Sequence, residues 1–454
     1  MGRKKKVESL PLVNPHAAGI DVGSKSHFVA VGQGTDDVRE FGVYSDDLHT
    51  LCRWLKSEEV TTVALESTGS YWQNLFILLQ DYGLEPILVS GKFTKNVQGK
   101  KTDVLDCQWI QRLHCLGLLP NSYQPSNDTE KLRQYSRHRQ GLIENASDYI
   151  KKMQKALRLM NIRLDIAISD VTGKSGKAMI EAIIGGEKDP SVLASLANYR
   201  VRKSKEEVER ALTGVWKEEY VFELRQSYEL YKFFHAKIEE CDKAIEKCLI
   251  ARIEDNEKVD GEVRPDYNKK ERKKQNKNTP KIDVEKLAFQ LTGGIDLSAI
   301  DGVSAMTILS IISEIGVDVS DFPTARHFTS WLRLAPKNKV SGGKILSSHT
   351  PKRKHRLALA LERAANVIGH NLKEGALHQF FQRIKYKKGN MQAVVATARK
   401  LAVIVWHMLS KNEQYKPVED AVYKDKVRAQ VLKNLQRKMK AFNVKPEEIS
   451  FVTN

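Results

Sequence analysis

Between residues 16 and 125 short apolar runs alternate with amphipathic stretches. AAGIDVG and SHFVAVG flank a Gly-Ser turn and predict a β-hairpin, with VREFGVY as a third strand. Residues 46–57 predict a helix, TTVALES a buried strand, and the chain from about Ser70 a second helix. EPILVS predicts a further strand, and residues 102–117 a further helix. An antiparallel opening followed by strand–helix alternation predicts a mixed sheet covered by helices, an α/β domain over residues 1–125.

The pattern then changes. Residues 126–254 are highly charged and carry two stripes at 3-4 spacing. One runs through Ile143, Ala146, Ile150, Met153, Leu157 and Met160; the other runs through Tyr231, Phe234, Ile238, Cys241, Ile245 and Cys248. Both have the heptad period of a coiled-coil seam and predict a long helical hairpin or a dimerising coil. The stretch from about 170 to 215 has no regular pattern. Residues 255–285 are poor in apolar side chains, and RPDYNKKERKKQNKNTPK holds eight Lys or Arg, which reads as a basic linker. Residues 286–415 predict a second, mainly helical unit. In it IDGVSAMTILSIISEIG resembles half of a helix-hairpin-helix, FTSWLRLAP leads into the polar loop KNKVSGGKILSSHTPKRKHR, and two helices follow. Residues 416–454 form a polar, basic tail.

Charge narrows the partners. The 454 residues carry a formal net charge of +18 and a pI near 9.4, a balance that points to polyphosphate backbones. Five scattered cysteines with no CxxC pair argue against a disulfide frame or a zinc site and fit a reducing cytosol. No run of about 18 apolar residues predicts a membrane span. The basic MGRKKKVESL precedes no apolar region, so a secretory signal is not expected.

Four carboxylates stand out: Asp21 and Glu66, each ending an apolar run, and Asp103 with Asp106, spaced to share one helix face. Lys100 and Lys101 lie alongside. Carboxylates converging on one rim of a sheet can hold divalent ions beside a phosphate. Singly, each has a plainer explanation: a turn residue, a helix cap or a surface acid. Ser341, followed by Gly342 and Gly343, offers a hydroxyl nucleophile, with Lys344, Lys352, Arg353, Lys354 and Arg356 nearby to meet phosphate charge. Ser347 and Ser348 are rival nucleophiles, and His349 and His355 are candidate bases. GKSGK at 173–177 is not a phosphate-binding loop, because Ile168 stands where that motif requires glycine.

With these residues together, most of the chain resembles the DEDD-type transposases of bacterial insertion sequences, the bridge- or seek-RNA-guided recombinases. GIDVGSKSH, ALESTGSYW and KTDVLDCQWI resemble the family's resolvase-like domain. IDGVSAMTILSIISEIG, WLRLAPKNKVSGGK and ARKLAVIVWHML resemble its C-terminal domain. The resemblance implies a ribonuclease-H-like N-terminal domain, a coiled coil, and a metal tetrad of Asp21, Glu66, Asp103 and Asp106 holding Mg2+ or Mn2+. It further implies Ser341 as a nucleophile forming a phosphoserine link to DNA. The implied partners are donor and target DNA, a guide RNA, and further copies of the chain as dimers pairing into tetramers, in the bacterial cytoplasm at the nucleoid. RNA pairing would then choose the sequence. Three departures stand out: Val340 where the family often has serine, Arg333 where it commonly has glycine, and a basic linker at 255–285 longer than the family pattern leads one to expect. The alternatives are a metal-only junction nuclease, which tolerates loss of Ser341, and a non-catalytic nucleic-acid-binding protein, which has no chemistry to lose.

Overall fold

A computed structural model describes residues 11–94, 102–260, 277–351, 355–417 and 420–443. The chain divides into two compact units, Met1–Gln124 and Pro125–Asn454.

The first unit is a five-stranded sheet with helices on both faces. Its elements are β1 (Ala17–Val22), β2 (His27–Ala30), β3 (Val38–Phe41), α1 (Ser45–Ser57), β4 (Thr62–Glu66), α2 (Trp72–Asp81), β5 (Glu85–Val89), α3 (Gly91–Thr94) and α4 (Asp103–Cys115). Strand order is β3-β2-β1-β4-β5; β1 is antiparallel to β2 and parallel to β4, and β4 is parallel to β5. Alternation sorts the side chains. Ile20, Val22, Val63 and Leu65 pack against Leu51, Leu55, Leu75 and Leu79 of α1 and α2. Ala64 and Val89, on the other face, pack against Ile110 of α4. The β1–β2 hairpin and the strand–helix order match the expectation from the apolar pattern.

The second unit begins with α5 (Asn127–Leu159), α6 (Leu164–Ala167), α7 (Lys174–Ile184), α8 (Pro190–Ser195), α9 (Lys205–Leu212) and α10 (Glu218–Asp260). Helices α5 and α10 lie antiparallel. Tyr149 stacks on Phe234, Leu142 and Ile143 pack with Ile238 and Cys241, and Arg139 bridges Asp242 at 2.5 Å. Of the two expected arrangements, the chain adopts the helical hairpin. The stretch with no sequence pattern is three short helices, whose Met179, Ile180, Leu193, Val208 and Leu212 bury against Met153, Leu157 and Leu224. Helix α10 continues to Asp260, past the start of the expected linker; residues 261–276 of that linker lie outside the described residues.

The unit continues with α11 (Val284–Leu291), a short 3-10 turn (Leu297–Ala299), α12 (Ala305–Glu314), α13 (Ala325–Trp331), β6 (Lys337–Ser341), β7 (Lys344–His349), α14 (Arg356–His370), α15 (Ala376–Lys388), α16 (Asn390–Lys411) and α17 (Asp420–Phe442). Three findings differ from the sequence reading. The polar loop is an antiparallel two-stranded ribbon. A third helix, α15, stands between the two expected ones, and its charged IKYKK end hid the apolar stripe. The basic tail contains the exposed helix α17. Helix α16 is long and apolar enough to cross a membrane, yet Ala398, Leu401, Ala402 and Val405 are buried within the unit.

Candidate active site

In the first unit, register and alternation place two of the four carboxylates together. The last parallel pair of β1 with β4 is Ile20 with Leu65, so Asp21 and Glu66 are the next residues on neighbouring strands. Adjacent strands lie about 4.8 Å apart. Both acids fall on the face that carries Ala64, the face covered by α4. Helix α4 lies against β1 at Gly19, where a Cβ would stand 2.2 Å from the Gln111 backbone nitrogen. Glycine there is a packing requirement, and it sets the height of α4 above Asp21.

Asp103 and Asp106 both lie in the first turn of α4, Asp103 exposed and Asp106 half-buried. Thr102 is the cap, its hydroxyl accepting from the Leu105 amide at 3.3 Å, so Asp103 is not the capping residue. Acids in a first turn are also favoured by the helix dipole. The charges of Asp21 and Asp106 both act on Cys107, whose thiol burial already pushes up to about 12. That shared neighbour ties the strand acid to the helix acid and leaves the thiol unreactive.

Sequence reasoning missed the support of Glu66. Thr94 donates its hydroxyl proton to Glu66 Oε2 at 2.5 Å, and a Cβ on Gly91 would come within 2.5 Å of Glu66 Oε1. The short α3 therefore wraps this carboxylate, an arrangement with no local sequence signature. The oxygen donors suit a hard divalent ion. Among the described residues, however, no three His, Cys, Asp or Glu side chains already form a metal-binding cluster. Lys100 and Lys101 lie outside the described residues.

In the second unit, Ser341 ends β6 and pairs with Lys344 across Gly342 and Gly343, whose φ angles are +54° and +75°. Two positive φ values make a type I′ turn, which favours glycine for conformation; an added Cβ on either would meet nothing within 4 Å. The pairs Lys339–Ser347 and Lys337–His349 put Lys337, Lys339, Lys344 and Ser347 on the face of Ser341. Ser348 pairs with Asn338 on the opposite face. His349 lies four residues down the ribbon, about 13 Å from Ser341 along the strand, so it is not the base in this arrangement.

His355 is also displaced from that role. Its Nδ1 accepts from the Leu357 amide at 3.2 Å, capping α14, and its ring meets Trp331 at 4.2 Å. Nε2 lies 3.5 Å from Glu314 Oε2. Burial pushes His355 down to about 4, although Glu314 opposes the shift. Arg137 grips Glu314 with two bonds of 2.9 and 2.7 Å, and Arg133 Nη2 donates to the Glu314 carbonyl at 2.6 Å. Arg356 is exposed in the first turn of α14, and Lys352, Arg353 and Lys354 lie outside the described residues.

Comparison with known proteins adds family evidence to this geometry. Residues 18–162 match a DEDD-type family model of the IS110 kind, described as "Transposase", and residues 296–380 match one described as "Transposase IS116/IS110/IS902 family". The "Transposase for insertion sequence element IS1111A" of Coxiella burnetii is 27% identical over 123 residues, 26% of this chain and 34% of that protein. A "Probable family 20 transposase" of Pseudomonas aeruginosa is 27% identical over 124 residues, 27% of this chain and 36% of that protein. The aligned segment thus spans about a third of each relative's length. Each family segment contains one half of the candidate chemistry, the carboxylates in the first and Ser341 in the second. Carrying both segments in this order, the chain belongs to the IS110/IS116 transposase family.

Proposed function

We propose that this chain is a DNA transposase that cuts and rejoins strands with a carboxylate-bound divalent metal and a serine nucleophile. The observation that carries the reading is that Asp21 and Glu66 stand at neighbouring strand ends on the face covered by α4, whose first turn carries Asp103 and Asp106. The strand order, three antiparallel strands extended by two parallel ones, supports a ribonuclease-H-like fold for this unit.

In this account Asp21, Glu66, Asp103 and Asp106 would hold Mg2+ or Mn2+. The ion's chemistry, when bound, is to polarise a phosphoryl oxygen and stabilise the leaving oxygen. Thr94 orients Glu66, and Gly19 sets the position of α4. Ser341 Oγ attacks a DNA phosphorus, forming a phosphoserine ester as the P–O bond to the leaving strand breaks and that strand departs with a hydroxyl. Lys337, Lys339 and Lys344 on the same ribbon face offset the charge that develops on phosphate. Attack by the incoming strand reverses the step and frees Ser341. The family resemblance supplies the remaining parts: a guide RNA pairing with donor and target DNA, a tetramer built of dimers, and a place in the bacterial cytoplasm.

The test is recombination between donor and target plasmids carrying the ends of the element that encodes this chain. Ser341→Ala and Asp21→Asn are each expected to lower joined product by about 10³-fold or more, with folding intact. Cleavage that persists in Ser341→Ala would assign the chemistry to the metal alone. Carboxylate variants with full activity would refute the tetrad.

A further inference from the structure

The ribbon carries more than the nucleophile. Its second face presents the cross-strand pair Val340 and Ile345, and beside them Leu346 is the extra residue of a β-bulge. These side chains are 60%, 63% and 68% exposed, although three large apolar groups on adjoining positions would ordinarily be covered. Eight of the eleven residues Lys337–Ser341 and Lys344–His349 are not apolar at all, and only Ser347 is even half-buried. A two-stranded ribbon with so little packing behind it is marginally stable alone. Lysine is depleted from the cores of protein–protein interfaces, so a ribbon with three lysines on one face is poorly composed for a protein partner. Apolar side chains framed by cations are instead the composition of wedges that enter the minor groove and part a base step. The chain's net charge of +18 complements that partner.

We propose that the β6–β7 ribbon is an unstacking wedge. Val340 and Ile345 enter a base step of duplex DNA from the minor groove while the lysine face grips the adjoining backbone. The inference rests on the DNA-transposase reading and adds a deformation of the substrate to it. Opening the step bends the strand outward and exposes the phosphodiester that Ser341 addresses, one residue from Val340 at the ribbon tip. Leu346, displaced by the bulge, fills the groove edge.

The experiment uses the full chain with Ser341→Ala, to hold the complex before cleavage, with its co-purified nucleic acid and Mg2+. Duplexes carrying 2-aminopurine, a base that brightens on unstacking, are tiled across the ends of the encoding element. A rise of about twofold or more at one or two neighbouring positions is expected. Adding Val340→Thr with Ile345→Thr, which preserves β-branching and strand preference, is expected to abolish the rise while the binding midpoint moves by less than about threefold. Ile345→Phe, a larger wedge, is expected to keep or enlarge it. Binding without brightening at any position overturns the wedge and leaves the transposase reading standing. So does brightening that survives both threonines, or a threonine variant whose change is in oligomeric state with brightening intact. No binding to any duplex overturns the wedge and the transposase reading together.

Discussion

At Arg333 the backbone adopts φ +59°, just past the end of α13. This left-handed conformation costs a residue with a Cβ about 1–2 kcal/mol, and glycine adopts it freely. The family's usual glycine thus has a physical reason, and arginine here bears a local strain. Arg333→Gly is expected to raise the melting temperature by about 2 °C, a gain near 1 kcal/mol. An unchanged or lower value in a thermal melt would show that arginine's own contacts outweigh the strain. Gly19→Ala should act oppositely. Its Cβ would meet the Gln111 backbone, which cannot rotate aside, so α4 must lift. A loss of about 1–3 kcal/mol in urea unfolding is expected, together with weaker carboxylate-dependent activity. Asp21 and Glu66 were legible in the sequence because apolar runs end abruptly in acids, and strand periodicity fixes the face they take. Their partners were not. Thr94 and Gly91 reach Glu66 only through the turn that follows β5, and Cys107 meets Asp21 only because α4 crosses β1.

Elements followed from continuous apolar runs where both faces are buried, as in β1 and β4, and from apolar stripes where one face is buried, as in α5 and α10. The serine segment reads as a loop because a ribbon exposed on both faces has no buried period; Gly342-Gly343 at its tip is the local feature that suits a hairpin. The same segment ends at a buried electrostatic knot that sequence could not assemble, since Arg137, Glu314 and His355 come from α5, α12 and the start of α14. His355 is held near 4, below its ordinary 6.5, so the unfolded chain binds more protons between those values. Stability from this site is complete above about pH 6.5 and is lost as pH falls toward 4. Glu314, held below its ordinary value, adds a further loss at lower pH. His114, pushed to about 4 in the first unit, shares the window, so the comparison that isolates the knot is between the natural chain and His355→Asn, which retains a cap acceptor. Over urea unfolding from pH 7 to 5 the natural chain is expected to lose on the order of 1–3 kcal/mol more than the variant, which keeps only the share of His114 and the other groups. Equal slopes for the two proteins would remove His355 from the account.

For the whole molecule, the excess of lysine and arginine sets how it meets nucleic acid. With six or more of these residues on phosphates, affinity for DNA should fall by about 10³-fold between 50 and 200 mM salt, because condensed counterions are released on binding. A flat salt dependence, measured by fluorescence anisotropy, would contradict a phosphate-gripping surface. The central claim joins the two units in one reaction, with carboxylates at the ends of interior strands proposed to bind metal in one and a serine ribbon in the other. Its most direct measurement is mass spectrometry of the protease-digested complex, trapped under denaturing conditions after incubation with Mg2+, co-purified RNA, donor and target DNA. The account predicts a nucleotide esterified through phosphate to the peptide that contains Ser341, present with the natural chain and absent from Ser341→Ala and Asp21→Asn. Cleaved DNA with no such peptide, or the ester on Ser347 or Ser348 instead, would contradict it.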